Sequence, residues 1–326
     1  MTKKRKAVIA GNDISEMHTF LLGGYEQKVL IEGKNKELPI VITLHGGPGT
    51  PIPFSAGCRG MFPEFTNAFL MVYWDQLGCG INNYIIDEHF TVDSFVDMTM
   101  DLIDKVKELF PKNPIYLFAM SWGTILSAKV LERSGTIVNG VVSWGQIVKH
   151  VFFNEEVFRS LETSKLPPKK LELIKGIDQK NISSKDMELI SGSVGKYTNG
   201  YQNKNGKKAP MGSMIYGLLT SPDYTFRDFK AVILNGYQGN IALWKEILSM
   251  DLSDVIRNVQ VPYMVIQGDT DIVASTKEVQ SLFEQSGNDF LKCRIVSNSG
   301  HMPGSEGMEA VLGALKSLCG NERCIL

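Results

Sequence analysis

The chain has 326 residues, 43% of them hydrophobic, with a formal net charge of −1 and five cysteines. This length and apolar content suit one large domain, or a core carrying an insertion. The near-zero charge argues against nucleic acid or an acidic membrane surface as the main partner, and no stretch approaches the ~20 apolar residues of a membrane span.

Residues 3–6 (Lys-Lys-Arg-Lys) read as a solvated basic tail, because the apolar stretch behind them, residues 7–10, is too short for a signal-peptide core. Residues 28–31 and 39–44 are strand-like, and the second run leads directly into His45-Gly46-Gly47-Pro48-Gly49. Residues 69–74 form another strand entering an Asp75-Gln76 loop. Phe95, Met98, Leu102, Val106 and Leu109 then recur at helical spacing up to Pro111. Residues 115–118 read as a buried strand, 124–133 as an amphipathic helix and 140–144 as a further strand. That alternation predicts an α/β fold, a mainly parallel sheet with helices on both faces. After Gly145 the rhythm turns helical, with helices at 155–162, 169–175 and 240–250. Pro167-Pro168 breaks between the first two, and a polar segment at 195–210 reads as a mobile loop. From Val261 strand and helix alternate again, closing with a strand at 293–296 and a helix near 306–319. The expected organisation is a core of residues 1–145 and 251–326, interrupted by a helical cap at 146–250.

Cys58, Cys79, Cys293, Cys319 and Cys324 are odd in number and lack metal-like spacing. In a chain of this size they imply free thiols in a reducing compartment, with the cytoplasm as default. No metal or cofactor is called for.

The chemistry is concentrated in three places. Ser121, in Ala119-Met120-Ser121-Trp122-Gly123, sits on a sharp turn between strand and helix, where small residues two before and two after leave room for the turn. A serine so placed is a nucleophile elbow, and the fold that uses it orders its partners Ser, then acid, then His. Asp271 follows the strand beginning at Val261 and stands three residues past Gly268, the usual place for the acid. Asp269 is its rival. Of five histidines only His301 follows that acid, and it fits the base that takes the serine proton. The glycines after residues 39–44 supply the third part. Acyl transfer places negative charge on the substrate oxygen, and backbone N–H groups must face it. Gly47, with Gly46 in reserve, and Trp122 are the expected donors.

His45-Gly46-Gly47-Pro48-Gly49 is similar to the HGGPG signature of proline iminopeptidases. Tyr73-Trp74-Asp75-Gln76-Leu77-Gly78-Cys79-Gly80 resembles the family's W-D-Q-R-G-x-G segment, and Ser121-Trp122-Gly123 its S-W-G elbow. The resemblance covers both ends of the chain and fades over residues 146–250. It departs at Leu77 (arginine in the family), Ile81 (serine) and Ala119 (glycine). It implies an α/β-hydrolase fold and a metal-free serine aminopeptidase that takes proline or another small residue from short peptides. An esterase or lactonase acting on a small acyl compound is the alternative, and a non-catalytic ligand receptor a remote one. An aspartate-nucleophile hydrolase is disfavoured by Ser121. An aminopeptidase needs a carboxylate to hold the substrate ammonium group; Glu155 and Glu156 are the cap candidates, followed by Glu162 and Glu188. Met211, Met214, Tyr216 and Trp244 are candidates for an apolar pocket wall or for the cap core.

Overall fold

The computed structural model describes residues 1–206, 211–234, 237 and 240–320. Among these, β1 (Ile14–Leu22), β2 (Tyr25–Gly33), β3 (Ile40–Leu44), β4 (Leu70–Trp74), β5 (Ile115–Met120), β6 (Gly140–Trp144), β7 (Tyr263–Gly268) and β8 (Leu291–Val296) form one sheet. Its order is β1-β2-β4-β3-β5-β6-β7-β8. The pairs β1–β2 and β2–β4 are antiparallel; every other pair is parallel.

Helices α1 (Lys3–Gly11), α2 (Pro63–Thr66), α3 (Val92–Leu109) and α4 (Trp122–Arg133) precede β6. Between β6 and β7 lie α5 (Glu155–Glu162), α6 (Pro168–Lys175), α7 (Ser184–Tyr197), α8 (Met211–Leu219), α9 (Phe226–Ile233), α10 (Ile241–Ser249) and α11 (Ser253–Arg257). Helices α12 (Thr276–Ser286) and α13 (Ser305–Leu318) follow. None of the described helices is long and apolar enough to cross a membrane.

The central strands are apolar on both sides because both faces are covered. Successive side chains alternate between two cores. Ile40, Ile42, Leu117 and Ala119 join α3 and α4 on one face, while Val41, Tyr116 and Phe118 join α13 on the other. Helix α3 shows how local sequence sets an element. Thr91 and Ser94 close a capping box, and Phe95, Met98, Leu102 and Val106 form the buried stripe. Because β3 and β5 to β8 run parallel, the loops leaving their C-terminal ends share one edge of the sheet, where open α/β sheets carry their functional groups.

Two expectations are corrected. Residues 3–6 are not a solvated tail but the start of α1, and Arg5 is buried. Its guanidinium donates to the carbonyls of Arg59, Gly217 and Gly57 at 2.5, 2.6 and 2.8 Å. In sequence, a basic run looks alike whether its acceptors are water or backbone carbonyls. The segment 195–210 is not wholly a loop. Residues 195–197 are the last turn of α7, 198–206 pass beside His301, and 207–210 lie outside the described residues. Cys58, Cys79 and Cys293 are thiols, and Cys324 also lies outside the described residues.

Candidate active site

Ser121 links β5 directly to α4 with φ 48° and ψ −117°. A non-glycine residue takes this region only when its surroundings hold it there. Here the Ser121 N–H donates to the Trp144 carbonyl at 2.9 Å. The small neighbours have a definite reason: a Cβ on Gly123 would lie 2.1 Å from the Leu44 carbonyl oxygen. Ala119 is fully buried on the β5 side.

His301 Nε2 lies 2.8 Å from Ser121 Oγ, and His301 Nδ1 lies 2.9 Å from Asp271 Oδ2. The carboxylate only accepts, so the imidazole proton sits on Nδ1 and Nε2 accepts from the serine hydroxyl. Asp271 is 1% exposed, and every side of it is held. Oδ1 accepts from the N–H groups of Val273 and Ala274 at 2.9 and 3.0 Å, and Oδ2 also accepts from Gln267 Nε2 at 3.1 Å. Asp269 serves a different purpose. Its oxygens accept from the Asn298 and Ser299 N–H groups, both at 3.0 Å, which shapes the loop that carries His301.

The glycine loop after β3 faces the same serine. A Cβ on Gly46 would meet Ser121 Cβ at 3.2 Å, and Gly47 has φ 120°. Neither Gly47 nor Trp122 donates its backbone N–H to an acceptor among the described residues. Beneath the loop, buried His45 donates from Nδ1 to the Gly46 carbonyl at 2.9 Å and accepts the Gln76 N–H on Nε2 at 3.0 Å. Burial holds its pKa down, to about 4. Asp75, fully buried, accepts from the Ala56 and Ile81 N–H groups at 2.9 and 3.0 Å and from the Tyr224 hydroxyl. Burial raises its pKa, and those three donors oppose the shift.

These groups open onto a cavity of about 450 Å³ between the sheet edge and the helices that follow β6. Ile147, Phe152, Met187, Trp244 and Ile247 give it apolar walls. One side is a stripe of α7 at helical spacing: Ser184, Met187, Glu188, Ser191, Gly192 and Gly195. Of the four proposed carboxylates, Glu188 alone lines this cavity, and it is the only carboxylate among its described lining residues. Glu155 and Glu156 do not line it, which corrects their assignment. They occupy the first turn of α5, where carboxylates favour the helix dipole. Glu156 also accepts from Ser275 Oγ at 2.7 Å. Glu162 pairs with Lys175 at 2.7 Å. Trp244 lines the cavity; Met211, Met214 and Tyr216 do not.

Three contributors escape the sequence reading. A Cβ on Gly145 would come within 3.1 Å of the His301 ring, so this glycine, at φ 62°, admits the imidazole. Gln267 holds Asp271. Residues 199–201 form a strap over the His301 loop, where the His301 and Met302 N–H groups donate to the Gly200 and Tyr201 carbonyls at 2.9 and 2.8 Å. The Tyr201 ring stands 5.9 Å from that of His301 and lines the cavity. A glycine next to a site histidine is a usable sequence signal only once the pairing is known. Among the described residues, no group of three or more His, Cys, Asp or Glu is placed to hold a metal ion.

Residues 39–307 match the alpha/beta hydrolase fold family. A probable aminopeptidase, YbaC of Bacillus subtilis, is 24% identical over 313 residues, covering 89% of this chain and 92% of that protein. The proline iminopeptidase of Neisseria gonorrhoeae is 36% identical over 115 residues, 35% of this chain and 34% of its own length. Among solved structures, the crystal structure of VinJ superposes with a TM-score of 0.64 at 19% identity, covering 94% of this chain and 98% of that one. That likeness speaks for the fold.

Proposed function

The chain belongs to the alpha/beta hydrolase fold family, and from that premise we propose that it is a serine hydrolase acting as an aminopeptidase on short peptides. The observation that carries this reading is the hydrogen-bonded series Ser121–His301–Asp271, at 2.8 and 2.9 Å, opening onto a cavity that contains Glu188. Ser121 Oγ attacks the scissile carbonyl while His301 Nε2 takes its proton, and Asp271 stabilises the resulting imidazolium. The N–H groups of Gly47 and Trp122 receive the developing oxyanion, with Gly46 the alternative to Gly47. His301 then protonates the leaving amine, and water releases the acyl group by the same route. Glu188 holds the substrate's free ammonium group. The relative named a probable aminopeptidase, alignable over most of this chain, favours peptide over ester.

The apolar walls support a second reading, an esterase or lactonase acting on a small apolar acyl group. The two readings separate on a prolyl anilide assayed beside a short-chain aryl ester. The aminopeptidase reading expects anilide turnover that exceeds ester turnover and disappears when the amine is acetylated. Ser121→Ala should remove at least ~10³-fold of kcat. Glu188→Gln should raise KM for the anilide ~10-fold and leave the ester alone. Serine-dependent ester turnover without anilide turnover would transfer the assignment to the esterase. Turnover unchanged in Ser121→Ala would defeat both.

A further inference from the structure

The two oxyanion donors of the reading above come from separate loops, after β3 and after β5. Pre-organisation requires a fixed spacing between them, since donors that must move at the moment of reaction lose much of their effect. One side chain spans the gap. Gln76, fully buried after β4, accepts the Trp122 indole N–H on Oε1 at 2.7 Å. Its Nε2 donates to the His45 carbonyl at 3.4 Å, and its backbone N–H donates to His45 Nε2 at 3.0 Å. The amide orientation is unambiguous, because an indole N–H can only donate and a carbonyl can only accept. Trp122 is the residue after Ser121, and His45 the residue before Gly46.

We propose that Gln76 is a positioning residue for the oxyanion hole, its amide fixing the elbow and the glycine loop at one separation. This rests on the serine-hydrolase reading. The loop carrying Gln76 is itself held rigid: Asp75 is satisfied as described, Gly78 N–H donates to the Asn82 carbonyl at 2.7 Å, and the Tyr237 hydroxyl donates to the Leu77 carbonyl at 2.5 Å. At the far end, the Trp122 indole meets Phe95 edge-on, ring centres 5.8 Å apart. The amide is thus a strut between two braced supports, and Gln76 does not line the cavity.

The test compares Gln76→Leu with the unaltered chain on the better of the two substrates and on an alkyl trifluoromethyl ketone. Ser121 Oγ adds to that ketone, its proton passes to His301, and the resulting alkoxide occupies the oxyanion hole. The expected result is a kcat reduced ~10- to 100-fold with KM changed less than ~2-fold, and ketone affinity reduced by the same factor as kcat. Trp122→Phe should behave alike, and the double variant should lose no more than the worse single one, since both remove the same bond. A folded Gln76→Leu with kcat and ketone affinity near the original overturns the proposal; so does a kcat loss without a ketone loss, and so do additive losses. Should Gln76→Leu fail to fold, Trp122→Phe is read on the same two measurements, parallel loss supporting the proposal and no loss overturning it. Fluorophosphonate labelling of the unaltered chain separates the two levels. Without labelling the hydrolase premise falls, and this inference with it; labelling beside an unimpaired Gln76→Leu overturns this inference alone.

Discussion

His45 keeps its proton on Nδ1 and offers Nε2 to the Gln76 N–H, a bond that protonation would destroy. Its folded pKa of about 4 lies below the ordinary 6.5, so the stabilisation is complete above pH 6.5 and is lost as the pH falls towards 4. Over that window the loss is about 3 kcal/mol. The urea midpoint should therefore drop more between pH 7 and pH 4.5 in the unaltered chain than in His45→Gln; equal drops would refute the assignment. At this scale, sequence legibility depended on connectivity. Ser121, Asp271 and His301 can be picked by chain order, because the fold fixes the order in which its strands deliver them. Gln76 and Gln267 cannot, because each acts through one neighbour in space. Glu155 and Glu156 misled because a carboxylate at a helix start looks the same whether it caps a helix or faces a substrate.

Elements were legible where one periodicity ran unbroken. The bounds of α5 match the expected 155–162, and Pro168 opens α6 at the position where its missing N–H costs nothing. Helix α7 was harder, because its buried stripe of Met187, Ile190 and Val194 includes the polar Ser193, and its cavity face carries Gly192 and Gly195. The strap that follows was invisible, being defined by its partner. A Cβ on Gly300 would stand 2.9 Å from the Gly200 carbonyl oxygen and 3.0 Å from that of Asn199, both of them backbone atoms that cannot swing aside. Gly300→Ala should therefore push the strap away, destabilise the fold by about 1–3 kcal/mol and lower kcat several-fold through the His301 loop. Chemical denaturation and steady-state kinetics check both. An alanine variant with full stability and activity would show that the strap is dispensable.

Across the whole molecule, the parallel sheet and its helical layers follow from strand–helix alternation, while the attachments between distant parts do not. Arg5 ties three of those parts together: α1, the loop at residues 57–59, and α8 between β6 and β7. Arg5→Met would remove the guanidinium donors from the Gly57, Gly217 and Arg59 carbonyls and should cost about 2–4 kcal/mol. Hydrogen exchange should show the α8 amides opening faster while those of β3 and β5 stay protected, and unchanged α8 exchange would contradict the tie. The long segment between β6 and β7 also has a consequence in time. A ribosome completes the elbow early, then builds more than a hundred residues between β6 and β7 before the strands that lead into Asp271 and His301 emerge. Under the assigned roles, every nascent chain carries a nucleophile without its base, and the protein is chemically silent until its last strands dock.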